Sequence, residues 1–243
     1  MYTSDYQTDD FKSFDTEERL KDINLSIRLG FIRKVYGILS IQLLITTILC
    51  LIAMISKSYQ SFLINNISLA YLMIFLTIIL PIIIICCPDT MSKVPMNYII
   101  LLLFTIAESY LVSFICAFSN PKIVFMAAFM TFAMVISLTI YAITTSTDMT
   151  LNGSILFIGC CSLFLFSFFL IFTNNKLLHI IFCIAGIIIL GFYLIYDTQL
   201  IIGNKSYCVE MDDYILGSFM LYTDIVSLFL YILQLLQLLN SGD

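Results

Sequence analysis

Seven apolar runs, each close to the length of one bilayer crossing, constrain this chain more than any other feature. They cover approximately residues 35–55, 67–87, 97–118, 123–144, 153–173, 177–202 and 214–238. A membrane-spanning helix needs about 20 consecutive apolar residues. Hydrocarbon offers the backbone no hydrogen-bond partner, so such runs must be helical. Only short polar breaks separate them: "SKSYQ", "PDTMSKVP", "SNPK", "TTSTDMTLNG", "TNNK" and "GNKSYCVEMDD". The pattern predicts an all-α, polytopic membrane helix bundle of seven segments, or of six plus a re-entrant last segment, because the seventh run is the most polar. Composition excludes the soluble alternative. The chain is 61% hydrophobic and 11% charged, whereas soluble domains are about a quarter charged. The lipid bilayer is the expected surrounding partner, and no nucleic-acid partner is expected.

The domain reading is simple. Residues 1–34 form a polar N-terminal tail, 35–239 a single transmembrane helical domain, and 240–243 a C-terminal tail. The tail holds six of the eleven basic residues: Lys12, Arg19, Lys21, Arg28, Arg33 and Lys34. Basic residues favour the cytosolic side, so the N-terminus is expected in the cytosol. No cleavable signal pattern precedes the first run, and insertion is expected to start from that run itself. Seven of the eight cysteines, Cys50, Cys86, Cys87, Cys116, Cys160, Cys161 and Cys183, lie in or at the ends of apolar runs. Without a C-x-x-C pair they read as buried small hydrophobes, with no disulfide or resident cofactor expected.

Ionisable residues inside the spans carry the functional signal. Every Lys and Arg falls outside the seven runs or at their margins, but Glu108, Asp197 and Asp224 do not. His179 stands at the start of the sixth run. Carboxylates in hydrocarbon are costly and usually face a bundle interior, where they mark ion or proton pathways. On the seventh run, Gly217, Met220, Asp224, Ser227, Tyr231 and Gln234 fall on one helical face. On the sixth, His179, Cys183, Gly186, Leu190, Tyr193 and Asp197 do the same. Small Gly186 and Gly191 permit close helix approach. The linking loop has eleven residues, so the two helices are expected to be antiparallel neighbours with Asp197 and Asp224 at similar depth. Such a pair titrates as a unit, and it reads either as a proton-sensitive latch or as part of a Ca²⁺ pathway. Plainer readings stand beside these, and for Asp197 the plainer one is a residue at or just beyond a helix end that contacts headgroup water. Glu108, beside Ser109 and near Thr105 and Ser113, reads equally as an interhelical hydrogen-bonding acid. His179 reads as an interfacial anchor, and Asp148 in "TSTDMT" as a turn residue.

Four stretches together resemble the transmembrane Bax inhibitor motif family, nearest its lifeguard and Golgi anti-apoptotic branches. They are "GFIRKVYGILSIQLLITT" (30–47), "SLTIYAITTSTDMT" (137–150), "LGFYLIYDTQLIIGNKSY" (190–207) and "DDYILGSFMLYTDIVSLFLYILQLL" (212–236). The resemblance implies a bundle whose last segment is central. It also implies a pH-sensitive leak of Ca²⁺ from endoplasmic reticulum or Golgi stores, with suppression of apoptosis. The family's aspartate pair matches Asp197 and Asp224, which are the implied sites of pH sensing, gating and Ca²⁺ passage, with Ca²⁺ and H⁺ as the ions handled. His179 occupies the place of a functional glutamate in some Golgi-branch relatives. Bacterial relatives carry a latch arginine in the second span; this second span has none, and only Lys93 lies nearby.

Two further functions compete with the leak. One is a non-conducting scaffold that restrains apoptosis through membrane-protein partners. The other is an aspartyl intramembrane protease, suggested by Tyr196-Asp197 preceding a second membrane aspartate. Asp224 follows Leu221-Tyr222-Thr223 rather than G-x-G, and no P-A-L motif follows. The chain is therefore read as a non-enzyme.

Overall fold

The computed structural model describes residues 4–86, 94–173 and 175–240, with residues 4–24 and 85 described by backbone alone. The described residues form eight α-helices and one short 3-10 turn, with no strand among them. The helices are α1 (Ser4–Ile55), α2 (Lys57–Asn65), α3 (Ile67–Cys86), α4 (Met96–Ala117), α5 (Pro121–Thr144), α6 (Gly153–Ile171), α7 (Lys176–Ile202) and α8 (Tyr214–Asn240). All but α2 carry a stretch long and apolar enough to cross a membrane. In the first, that stretch runs from Leu25 to Ile55 and so begins upstream of the sequence-predicted residue 35. The sequence around "SKSYQ" reads as a loop, yet residues 57–65 are helical. Ser56 provides the reason: its hydroxyl accepts from the Tyr59 amide at 3.3 Å, an N-cap that starts a helix.

The last segment is a full traverse rather than a re-entrant hairpin. At one end of α8, Tyr214 meets Tyr98, the ring centroids 6.1 Å apart, and lies under the Lys34 ammonium. At the other end, Gln237 donates to the Ser119 hydroxyl at 2.7 Å. Tyr98 and Ser119 lie at opposite ends of the α4 crossing, so α8 runs the whole depth of the bundle. It is also central, packing against α1, α4, α5 and α7. That position explains its polarity: few of its side chains need to face lipid.

Polar side chains lock α1, α4 and α8 together. Gln42 donates to the Thr105 hydroxyl at 2.9 Å, and one turn further on the Thr46 and Ser109 hydroxyls are 2.8 Å apart. Each pair joins residues 63 apart in sequence, so α1 and α4 run parallel and in register. The Tyr222 hydroxyl, fully buried on α8, joins at 2.9 Å from Thr46. Thr46 returns its own proton to the Gln42 carbonyl at 2.9 Å. Phe104 packs edge-on to Phe219, centroids 4.9 Å apart, and completes the seam.

The cysteines correct one expectation. Those described are free, but only Cys116 and Cys183 are buried; Cys86, Cys160 and Cys161 lie on the outside of the bundle. The sequence argument equated an apolar run with an interior. In a bilayer the outer surface is as apolar as the core, so a small hydrophobe is stable on either side. Cys87 lies outside the described residues.

Two outcomes follow from this architecture. Seven traverses place the chain ends on opposite sides, so N- and C-terminal tags on sealed vesicles should show opposite protease sensitivity; equal sensitivity would contradict the fold. Interhelical hydrogen bonds in membranes average about 0.6 kcal/mol, with larger values near 1.7. Thr46→Val removes the hub of the network and should cost about 1–2 kcal/mol in reversible unfolding. Tyr222→Phe leaves the Thr46–Ser109 bond in place and should cost about half as much. Equal losses would show that Thr46 is not the hub.

Candidate functional site

The carboxyl pair is built where α7 and α8 adjoin. Asn175 caps the start of α7, its side-chain oxygen accepting from the Leu177 amide at 3.0 Å. Gly203, at φ +69°, ends the helix in the left-handed conformation that glycine tolerates best. Asp197 sits in the last turns before that stop, and Asp224 in the third turn of α8. The Gly186 backbone lets the Tyr231 ring approach to where a Cβ would stand 2.5 Å from a ring carbon. A smaller contact of the same kind brings Leu138 of α5 to Gly191.

Asp197 is 4% exposed and Asp224 8%, and their carboxyls approach each other. Two carboxyls in such contact can hydrogen-bond to each other when at least one carries a proton. The Asp224 Oδ2 atom is buried without a hydrogen-bond partner. Tyr193 and Tyr196 of α7 and Cys160 of α6 are the other titratable groups whose fields reach the pair. Among the described residues no group of three or more His, Cys, Asp or Glu comes together. Ca²⁺ takes six to eight oxygens, and two carboxyls offer four. By itself the pair offers fewer oxygens than Ca²⁺ takes.

Above the pair lies a polar junction that joins α1 to two loops. Arg28 of α1 is 9% exposed and donates to the carbonyls of Leu200 at 2.6 Å, Val209 at 2.7 Å and Ile202 at 3.1 Å. The Gln199 side chain accepts from the Met149 amide at 2.8 Å and donates to the Thr147 carbonyl at 3.0 Å. Asp148 accepts from Thr150 through its amide at 2.9 Å and hydroxyl at 2.6 Å. It accepts from Ser206 likewise, at 3.1 Å and 2.6 Å. Lys205 donates to the carbonyls of Thr145 at 3.0 Å and Ser146 at 3.1 Å.

The family model described as "Inhibitor of apoptosis-promoting Bax1" matches residues 28–241, which include the pair and this junction. The chain belongs to the Bax inhibitor-1 family. Among its relatives, human "Protein lifeguard 3" is 33% identical, over 86% of this chain and 69% of that protein. "Protein LIFEGUARD 2" of Arabidopsis thaliana is 36% identical, over 88% and 90% respectively. The "BI1-like protein" of the same plant is 35% identical, over 89% and 82%.

For this Bax inhibitor-1 family chain, the structure sorts the sequence-predicted residues into three places. Asp197 and Asp224 meet. Glu108 is half-buried on α4 and acts electrostatically on Tyr222. Tyr222 is two residues from Asp224, about 200° around the helix, so Glu108 belongs to the opposite side of α8. His179 stands eighteen residues before Asp197, about 27 Å along α7. There its Nε2 lies 3.1 Å from the Thr173 carbonyl, closing the α6–α7 turn. Gln234, placed by periodicity on the Asp224 face, is exposed. Lys93 lies outside the described residues.

Sequence reasoning missed Arg28, Gln199 and the reach of Asp148. Arg28 was counted as an orientation charge, and nothing in "TSTDMT" announces a contact with Ser206. The side-chain hydroxyls of Ser206 and then Thr150, followed by their amides, hold the Asp148 carboxyl down to about 2. Its unfolded value is about 3.9. A depressed carboxylate contributes its stabilisation above the unfolded value and loses it as pH falls through the folded one. The junction should therefore be unchanged between about pH 5 and 8, well above both values. Hydrogen exchange, corrected for intrinsic rates, should show constant protection of the Ser206 and Thr150 amides across that range. Asp148→Ala should lower it. Below about pH 4 protection should fall in the unaltered protein more than in Asp148→Ala; an equal fall, or none, between about pH 4 and pH 2 would show the carboxylate is not held down.

Proposed function

We propose that this chain forms a pH-sensitive Ca²⁺ leak pathway in endoplasmic reticulum or Golgi membranes, with Asp197 and Asp224 as its gate. Lowering stored Ca²⁺ is then the route by which it restrains apoptosis. The observation that carries the reading is the approach of two buried carboxyls on adjoining helices. Family membership supports the anti-apoptotic part.

The chemistry follows from the shared proton. With one proton between them, the carboxyls attract and α7 and α8 are held together. Any change in that count alters two things at once: the contact between the helices and the field met by a cation. Two bare carboxylates in contact repel strongly where water is scarce. Two protonated ones offer a cation no charge. Neither Glu108 nor His179 is needed for this step. No ion pair with Lys or Arg competes for the two carboxyls among the described residues.

A second reading is the non-conducting scaffold, and one feature favours it. An apolar recess of about 380 Å³ opens between α1 and α5, with Val112 of α4 and Ile225, Val226 and Phe229 of α8 as its floor. It offers an intramembrane partner a place to pack.

Ca²⁺ flux into liposomes from about pH 5 to pH 8, a range over which a buried carboxyl pair can change its proton count, separates the two. The leak reading expects pH-dependent flux from the unaltered protein, with the pH dependence flattened in both Asp197→Asn and Asp224→Asn at matched incorporation. Flux no greater than in protein-free liposomes would favour the scaffold. Identical flux and pH profile in all three proteins would remove the pair as the gate.

A further inference from the structure

Arg28 is the one buried cation among the described residues, and neither the leak nor the scaffold reading uses it. Its guanidinium bonds to three carbonyls: Leu200 and Ile202 in the last turn of α7, and Val209 in the α7–α8 loop. Those helix-end carbonyls have no intrahelical donor and carry the negative end of the helix dipole. A planar guanidinium with five fixed donors suits three divergent acceptors; a single ammonium does not. Gly203 makes the approach possible. A Cβ there would stand 2.5 Å from the guanidinium, and the φ of +69° is one that other residues rarely adopt.

The same face of α1 continues the contact. Phe31 lies beneath the guanidinium, which is 4.8 Å from its ring centroid. Val35, two turns beyond Arg28, packs where a Cβ on Gly217 of α8 would meet it at 3.2 Å and Ile201 of α7 at 3.4 Å. One strip of α1 therefore touches both arms of the α7–α8 hairpin. Asp197 lies about one turn before Leu200, and Asp224 two turns after Gly217.

We propose that Arg28 is a positioning residue for the aspartate pair. By tying α1 to the carbonyl end of α7 and to the following loop, it holds the two helices at the separation at which Asp197 and Asp224 share a proton. The role in gating rests on the leak reading; the role in setting the pair's geometry does not.

The test compares full-length Arg28→Gln, Arg28→Lys and Gly203→Ala with Arg33→Gln, which alters an exposed charge on the same helix. Three measurements apply. Hydrogen exchange reports the hairpin end. Infrared difference spectra report the protonated-carboxyl C=O band, assigned by its loss in Asp224→Asn. Liposome flux reports the pH profile. Arg28→Gln should exchange at least about threefold faster over residues 200–209. It should also move the carboxyl band and displace the pH profile. Arg28→Lys should recover these only in part, Gly203→Ala should resemble Arg28→Gln, and Arg33→Gln should match the unaltered protein. Faster exchange with an unmoved band and profile would make Arg28 a structural tie only and overturn the proposal. Should Arg28→Gln fail to fold, Arg28→Lys and Gly203→Ala decide by the same two readouts. If the unaltered protein shows no pH-dependent flux, the leak reading falls, and the band alone still judges the positioning role.

Discussion

Hydrocarbon supplies no hydrogen bonds, and each part of this structure answers that shortage. The backbone answers it with helices that satisfy their own amides and carbonyls. The side chains answer it by pairing inside the bundle. Thr46, Ser109 and Tyr222 share protons at the α1–α4–α8 seam. Asp197 and Asp224 are buried against each other. Where α7 ends, its last carbonyls receive Arg28, and the Leu200 carbonyl also accepts from the Val209 amide. A group left without a partner in such a medium carries a large desolvation cost, so the polar contacts specify the packing even though each contributes little net energy.

Those contacts meet on α8. Its Tyr222 side faces the hydroxyl network of α1 and α4, and its Asp224 side faces α7. The two polar systems are separated by the helix itself. The first is composed of neutral hydroxyl groups that each both donate and accept, which suits it to hold a register. The second is a carboxyl pair whose bond depends on its proton count, which suits it to change state. The central helix therefore carries a hydroxyl network on one side and a carboxyl pair on the other.

Much of this was legible in the residues, for particular reasons. Asp197 and Asp224 were readable because helical phase, an eleven-residue loop and a lack of cations in the spans all pointed the same way. Gly186 was readable because small residues in membrane helices mark close approach, and the Tyr231 ring fills that space. Glu108 and His179 were chemically plausible partners, but chemistry does not give azimuth or depth. Glu108 proved to lie on the Tyr222 side and His179 at the far end of α7. The outward-facing Cys160 and Cys161 were misread because hydropathy cannot tell lipid from protein interior.

The sequence by itself determined the membrane environment, the helical class, the seven apolar segments and the two carboxylates that must find partners. These depend on local composition and on helical periodicity, which act over one or two segments. Only the tertiary structure decided that α8 is a full traverse. It alone placed the parallel register of α1 and α4 and the closure of Asp148 onto Ser206. It alone turned Arg28 from a tail charge into a buried clamp. These contacts join residues up to 181 positions apart, and their specificity lies in distance and direction. No local pattern encodes either, because a polar side chain in a membrane bundle is satisfied by whichever partner the packing delivers.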